Sequence, residues 1–164
     1  TTGLFLEACR DVGRSYPDVV VHDEHVDAMA AHLVRRGGEF DVVVTENLFG
    51  DILSDLAGEL GGSLGTAASL NCSDTIAMAQ AAHGAAPTIA GSNRANPTAL
   101  FVSAAMLLRW LGERRGDPLL VRAGDRIESA VAATFEAGTA TVDLGGIAST
   151  STFTEQVLAR VHRR

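Results

Sequence analysis

Apolar positions in the first sixty residues follow two periods in turn. Leu4, Phe5, Ala8 and Val12 recur at helical spacing before Gly13, Pro17 interrupts, and Val19, Val20 and Val21 form a β-branched run, so the pattern predicts a helix and then a strand. Asp23 stands where it can cap a second helix, whose apolar face is Val26, Ala30, Leu33 and Val34 and which Gly37-Gly38 ends. Asp41 to Thr45 reads as a buried strand. Leu48, Ile52, Leu53, Leu56, Ala57 and Leu60 then line one face of a third helix that stops at Gly61-Gly62. An α-β-α-β-α order favours a parallel sheet between helices, which makes the chain α/β.

From Gly62 to Asn96 the residues turn to Gly, Ala, Ser and Thr with no sustained period, the pattern of a lobe boundary and a loop-rich ligand surface. Beyond it Pro97 suits the first turn of an apolar helix running through Met106 to Trp110. Two more helices are predicted, about Pro118 to Phe135 and about Ser151 to His162. The division expected is 1–62 and 63–164.

Composition narrows the function classes. With 164 residues and 46% apolar content the chain can bury a core, and no apolar run approaches the roughly 18 residues of a membrane span. Twenty acidic residues against 13 basic leave a net charge of −7, so neither nucleic acid nor an anionic membrane finds an electrostatic footprint. All 13 basic residues are Arg. The absence of Lys removes a Schiff base, a P-loop lysine or a lysine general acid from within this chain. Cys9 and Cys72 have no CxxC partner and read as reduced thiols, the usage of a cytoplasmic protein. The start at Thr1-Thr2-Gly3, with no initiator Met and no signal-like segment, leads us to expect a piece of a longer chain.

Three places carry candidate chemistry. Asp51 and Asp55 lie at i, i+4 in Phe49-Gly50-Asp51-Ile52-Leu53-Ser54-Asp55, so both carboxylates leave one face of a helix N-terminal turn. Spacing alone serves equally a solvated acidic turn favoured by the helix dipole and a hard-cation site for Mg²⁺ or Mn²⁺. Asp27, in His25-Val26-Asp27-Ala28-Met29-Ala30, lies on another helix and could complete a set if the fold or a second subunit brought it near. His83 opens the small-residue loop His83-Gly84-Ala85-Ala86-Pro87-Thr88-Ile89-Ala90-Gly91, where another molecule can approach the backbone. No GxGxxG follows a strand and no Walker sequence occurs, so a nucleotide must bind by another route. His22, His25, His32 and His162 have no metal-like companions.

Taken together, the segments Val26–Ala30, Asn47–Asp55, His83–Gly91, Ala95-Asn96-Pro97-Thr98-Ala99-Leu100 and Asp143-Leu144-Gly145-Gly146 resemble, in order, motifs of the isocitrate/3-isopropylmalate dehydrogenase family. The resemblance spans essentially the whole chain but only the C-terminal half of such an enzyme, and it implies that family's fold, which is not the GxGxxG Rossmann type. It implies a metal-assisted, NAD(P)-dependent oxidation of a 2-hydroxy acid followed by loss of its β-carboxylate, with isocitrate or 3-isopropylmalate as the substrate type. Asp51, and Asp27 presented by a neighbouring subunit, look like the family's metal ligands, with Asp55 close by. Residues 1–62 then resemble part of the small, dimer-forming lobe, and a homodimer is expected. Residues 63–164 resemble part of the large lobe, in which His83, Gly84, Ala86, Pro87, Thr88, Ile89 and Asn96 match the adenosine-binding segment, the His and the Asn meeting the adenine.

Cofactor choice is partly legible through the same resemblance. NAD-dependent members usually carry Asp-Ile after the loop proline and many NADP-dependent ones Lys-Tyr, whereas this chain has Thr88-Ile89. Val142 and Gly146 stand where NADP-specific bacterial isocitrate dehydrogenases have a Tyr and an Arg for the 2′-phosphate, so NAD is expected, with Arg94 the one residue that could overturn this. The family's catalytic Lys lies just before the segment matching Thr1-Thr2-Gly3, so this chain by itself is expected to hold no acid/base residue and to be inactive. The second reading is a non-catalytic nucleotide- or metal-binding module, or a partner subunit of a full-length homologue.

Overall fold

The computed structural model describes residues 2–162, so of the Thr1-Thr2-Gly3 segment only Thr2 and Gly3 are seen, in the first turn of the first helix. The chain divides after Leu60 into two compact units.

The N-terminal unit holds three helices, α1 (Thr2–Gly13), α2 (Val26–Arg36) and α3 (Asn47–Leu60). α2 packs against α3, and each buries one apolar residue, Met29 and Leu53. A single 3₁₀ turn, Gly37–Glu39, closes α2. Phe40 then folds back so that its ring lies 6.4 Å from that of His32 and under the Arg36 guanidinium at 5.6 Å. Asp23 does not cap α2: the residue before that helix is His25, which gives no side-chain cap, and Asp23 instead accepts from Arg10 at 2.8 Å. That guanidinium holds the Asp23 carboxyl below its ordinary pKa.

The two predicted parallel strands are absent from the described residues. Residues 19–21 and 41–45 are irregular, and Val20 and Val42 are 78% and 79% exposed. β-branched runs become strands only where a ladder receives their N–H and C=O groups, and no described segment pairs with either run.

The sheet that does exist lies in the C-terminal unit, inside the stretch expected to be loop. β1 (Ala68–Cys72) and β2 (Ala77–Ala81) form an antiparallel hairpin with Ser69 opposite Gln80. Its strands, ASLNC and AMAQA, contain no Val, Ile, Thr or aromatic residue, so neither β-propensity nor alternation revealed them. What fixes the hairpin is α4 (Thr98–Arg115) beneath it. The buried Ser103 hydroxyl donates to the Gln80 carbonyl at 2.7 Å and accepts from the Ser69 amide at 3.2 Å.

α4 and α5 (Pro118–Glu136) are joined by the tight turn Gly116-Asp117. Gly116 is left-handed at φ 62°, Asp117 caps α5 by accepting from the Leu119 amide, and Pro118 supplies the first helical residue. The two helices pass so closely that a Cβ on Gly124 would lie 2.7 Å from the Ala105 carbonyl oxygen, so glycine is required by contact there. α6 (Thr150–Val161) is capped by Ser149 and completes the core with α5. Ala130, Val131, Phe153 and Val157 are buried together, flanked by Phe101, Phe135 and Val161, with the rings of Phe135 and Phe153 5.2 Å apart. No helix among the described residues is long and apolar enough to cross a membrane.

Candidate functional site

Asp51 and Asp55 lie one turn apart in the middle of α3, both exposed, and not in its N-terminal turn as expected, because the helix begins at Asn47 and its first turn holds no acidic residue. Neither makes an ion pair among the described residues. Asp27 is exposed in the first turn of α2 and accepts from the Ala28 amide at 2.9 Å. Among the described residues no three Asp, Glu, His or Cys side chains converge as a metal shell would need. Asp51 and Asp55 are thus two hard oxygen donors of the kind Mg²⁺ or Mn²⁺ takes, and among the described residues no third such side chain joins them.

The second group of predicted residues follows β2. His83 is half-buried, with Nδ1 3.0 Å from the carbonyl oxygen of Gly84. A carbonyl can only accept, so in the neutral ring Nδ1 carries the hydrogen and Nε2 keeps its lone pair as an acceptor. Gly84, Ala86, Pro87 and Thr88 are exposed and Ile89 is half-buried. Ala86 is left-handed at φ 43°, an unusual conformation for a residue with a Cβ, and Pro87 then opens the 3₁₀ turn Pro87–Ile89. The Ser92 hydroxyl closes that turn on the Ile89 carbonyl at 2.6 Å. Asn93, also left-handed, exchanges bonds with Ser151: its Nδ2 donates to the Ser151 hydroxyl at 2.8 Å and its Oδ1 accepts the Ser151 amide at 3.1 Å. The far end of the loop is therefore pinned to the start of α6, while the His83–Thr88 arm stands open.

Asn96 behaves differently from the rest of its group. It is buried, its Oδ1 accepts from the Thr98 amide at 3.0 Å at the start of α4, and its Nδ2 donates to Asp143 Oδ2 at 2.9 Å. The carboxamide is engaged at both ends inside the protein. Asp143, given no role by sequence reasoning although it opens the Asp143-Leu144-Gly145-Gly146 motif, is the centre of the arrangement. Its Oδ2 also accepts from the Ser63 hydroxyl at 2.5 Å, and its Oδ1 from the Thr141 hydroxyl at 2.6 Å. Partial burial pushes this carboxyl up, but the bonds from Ser63, Thr141 and Asn96 outweigh it and hold the group below its ordinary pKa. Gly65 completes the cluster: a Cβ there would lie 2.8 Å from Asn96 Cβ and 2.9 Å from Asp143 Oδ2. Ser63 and Asp143 are 80 residues apart, and no local pattern announces their meeting.

Two surface grooves of the C-terminal unit avoid the loop. One, of about 500 Å³, is lined by Arg122, Asp125, Arg126 and Arg160; the other, of about 410 Å³, includes Thr66, Thr98 and Leu144 beside the Asp143 cluster. His83 and residues 84–89 line neither.

Residues 1–157 match the family model described as isocitrate/isopropylmalate dehydrogenase. The chain is 50% identical over 158 residues, 96% of its length and 45% of the relative's, to an isocitrate/homoisocitrate dehydrogenase of Thermus thermophilus. It is 44% identical, over 97% of its length and 42% of the relative's, to the human mitochondrial isocitrate dehydrogenase [NAD] subunit alpha. In three dimensions it superposes on the isocitrate dehydrogenase of Methylococcus capsulatus with a TM-score of 0.89 and 43% identity, covering 99% of this chain and 47% of that one. An α/β chain that carries the five motifs in order, with this fold, belongs to the isocitrate/isopropylmalate dehydrogenase family. It spans slightly less than half the length of the curated relatives it matches.

Proposed function

We propose that this chain is the metal- and adenosine-binding portion of an NAD-dependent, Mg²⁺- or Mn²⁺-dependent oxidative decarboxylase of a 2-hydroxy acid of the isocitrate or 3-isopropylmalate type. The observation that carries the reading is the open His83–Thr88 arm set on a rigid base, in a chain of a family of such dehydrogenases. His83 Nε2 offers an acceptor to the exocyclic amine of adenine, and Asn96, whose amide is engaged internally, contributes through its main chain. Thr88 can donate one neutral hydrogen bond to a ribose hydroxyl, and Ile89 gives the ribose an apolar wall. Asp51 and Asp55, with Asp27 of a second subunit, would hold the divalent ion, which when bound supplies Lewis-acid stabilisation of negative charge on the substrate's oxygens. Asp27 serves only when another copy presents it, so the working species is a homodimer.

No Lys is present, so the acid/base lysine that the family resemblance implies is not supplied by this sequence. Steady-state assays of the intact protein with isocitrate, 3-isopropylmalate, homoisocitrate, tartrate and malate name the substrate, and inactivity on all of them with Mn²⁺ and either cofactor sinks the reading. NADP carries an extra phosphate of nearly two negative charges and meets no cation at Thr88, Ile89, Val142 or Gly146. NAD should therefore be preferred in kcat/KM by about tenfold to a hundredfold, or about 1.4–2.8 kcal/mol. A preference for NADP that Arg94→Ala abolishes would assign the phosphate to Arg94 instead. Asp51→Asn should abolish Mn²⁺ binding by calorimetry, and unchanged affinity reduces the pair to solvated carboxylates on the α3 surface.

A further inference from the structure

We infer that Asp143 is a positioning residue for the nucleotide, holding Asn96, the last residue matched to the adenosine segment, and the Ser63–Gly65 turn together as one base. The inference rests on the nucleotide reading above and adds a residue that touches no ligand. Three stretches far apart in sequence, residues 63–65, 96–98 and 141–143, meet on this one carboxylate. Ser63 ties the first stretch twice, donating to Asp143 and accepting the Gly65 amide at 3.0 Å. Gly65 then packs directly on Asn96, which leaves Asn96 no room to shift while Asp143 holds it. From the same buried carboxamide the Thr98 amide is capped, so the start of α4 and the segment leading into it share the anchor.

The donors are not equivalent. Ser63 and Thr141 are hydroxyls and can reverse, donating or accepting as their partner requires, whereas the Asn96 amide nitrogen can only donate. The contact between Asn96 and Asp143 therefore sets the polarity of the cluster. Among the described residues, the side chains that hydrogen-bond Asp143 from the 63–66 turn, the 96–98 turn and its own turn are Ser63, Asn96 and Thr141, all neutral.

That asymmetry supplies a test in the intact protein, with NAD as the probe and calorimetric affinity as the readout. Asn96→Asp is nearly isosteric but turns a second oxygen toward Asp143 Oδ2, and two facing carboxylates keep that geometry only when they share a proton. Its NAD affinity, taken as a ratio to the unmodified protein at each pH so that other titrations cancel, should be about tenfold weaker at pH 8 and recover toward unity by pH 5. The reciprocal double variant Asn96→Asp/Asp143→Asn restores a donor facing an acceptor. It should bind NAD within about threefold of the unmodified protein with no pH dependence in the ratio. Asp143→Asn alone can present its oxygen to Ser63 and Asn96 and its nitrogen to Thr141, and should rescue the binding that Asp143→Ala loses. A flat ratio for Asn96→Asp, or a double variant no better than the single, overturns the positioning role while leaving the nucleotide reading intact. Failure of the unmodified protein to bind NAD overturns both.

Discussion

The two units bury their apolar residues to very different degrees. In the C-terminal unit Phe153 and Val157 are wholly enclosed, buried Thr134 and Thr141 have their hydroxyls satisfied, and polar side chains tie the hairpin, α4 and α6 together. In the N-terminal unit only Met29 and Leu53 among the described apolar residues are buried, while Val19, Val20, Val21, Val42, Val43 and Val44 face outward. Both units have well-patterned amphipathic helices, so helical periodicity is not what separates them. The difference is closure: a core forms where several elements face one another, and a helix pair with two irregular valine runs does not make one.

The largest effect should come from the closed core. Phe153→Ala removes the ring that fills it and should cost about 3–5 kcal/mol, whereas Leu53→Ala, at a site that neighbouring exposed groups can refill, should cost below about 2 kcal/mol. Urea unfolding followed by segment-resolved hydrogen exchange compares them, and equal costs would break the contrast. Next comes Gly124→Ala, which forces a methyl group onto the Ala105 carbonyl and should destabilise the α4–α5 pair by about 1–3 kcal/mol. An unchanged melting temperature would mean that the helices can separate freely.

A smaller effect is carried by pH. The folded pKa of Asp143 lies below its ordinary 3.8, so its contribution is complete above that value and fades as the pH falls through the lower folded one. The urea midpoint of the C-terminal unit should therefore drop on acidification below about pH 4 more steeply in the unmodified protein than in Asp143→Asn. Parallel curves would remove Asp143 from the account. Smallest of all, Val43→Thr should change stability by less than about 0.5 kcal/mol, as at any exposed position. A cost several times larger would show that these valines are covered in the solution assembly, and would trace the openness of this unit to association rather than to its own sequence.

Which features were legible follows the same physics. Helices announce themselves locally, and all six lie within one or two residues of the apolar periods, apart from the C-terminal end of α4, which runs on past Trp110 to Arg115. The strands did not. Val19–Val21 and Asp41–Thr45 had the composition of strands without partners, and Ala68–Cys72 had a partner without the composition, because pairing is a non-local property. The Asp51/Asp55 spacing and the His83 loop could be found by motif, since each lies within one short segment. Asp143 could not be ranked by motif, because its meaning resides in Ser63 and Asn96, 80 and 47 residues away.

Gly146 bears on how cofactor preference could change over successive substitutions. Its amide donates to the Thr141 carbonyl, and a Cβ there would lie 1.9 Å from the Ala140 carbonyl oxygen, in a turn closed by the Ala148 amide on that same oxygen. By the family resemblance this is where NADP-specific bacterial isocitrate dehydrogenases carry an Arg. No side chain fits there until the backbone from Ala140 to Ala148 is rebuilt, so Gly146→Arg introduced first would disrupt the turn before it could attract a phosphate. The order of changes is thereby constrained: reshaping of the turn must precede the charge.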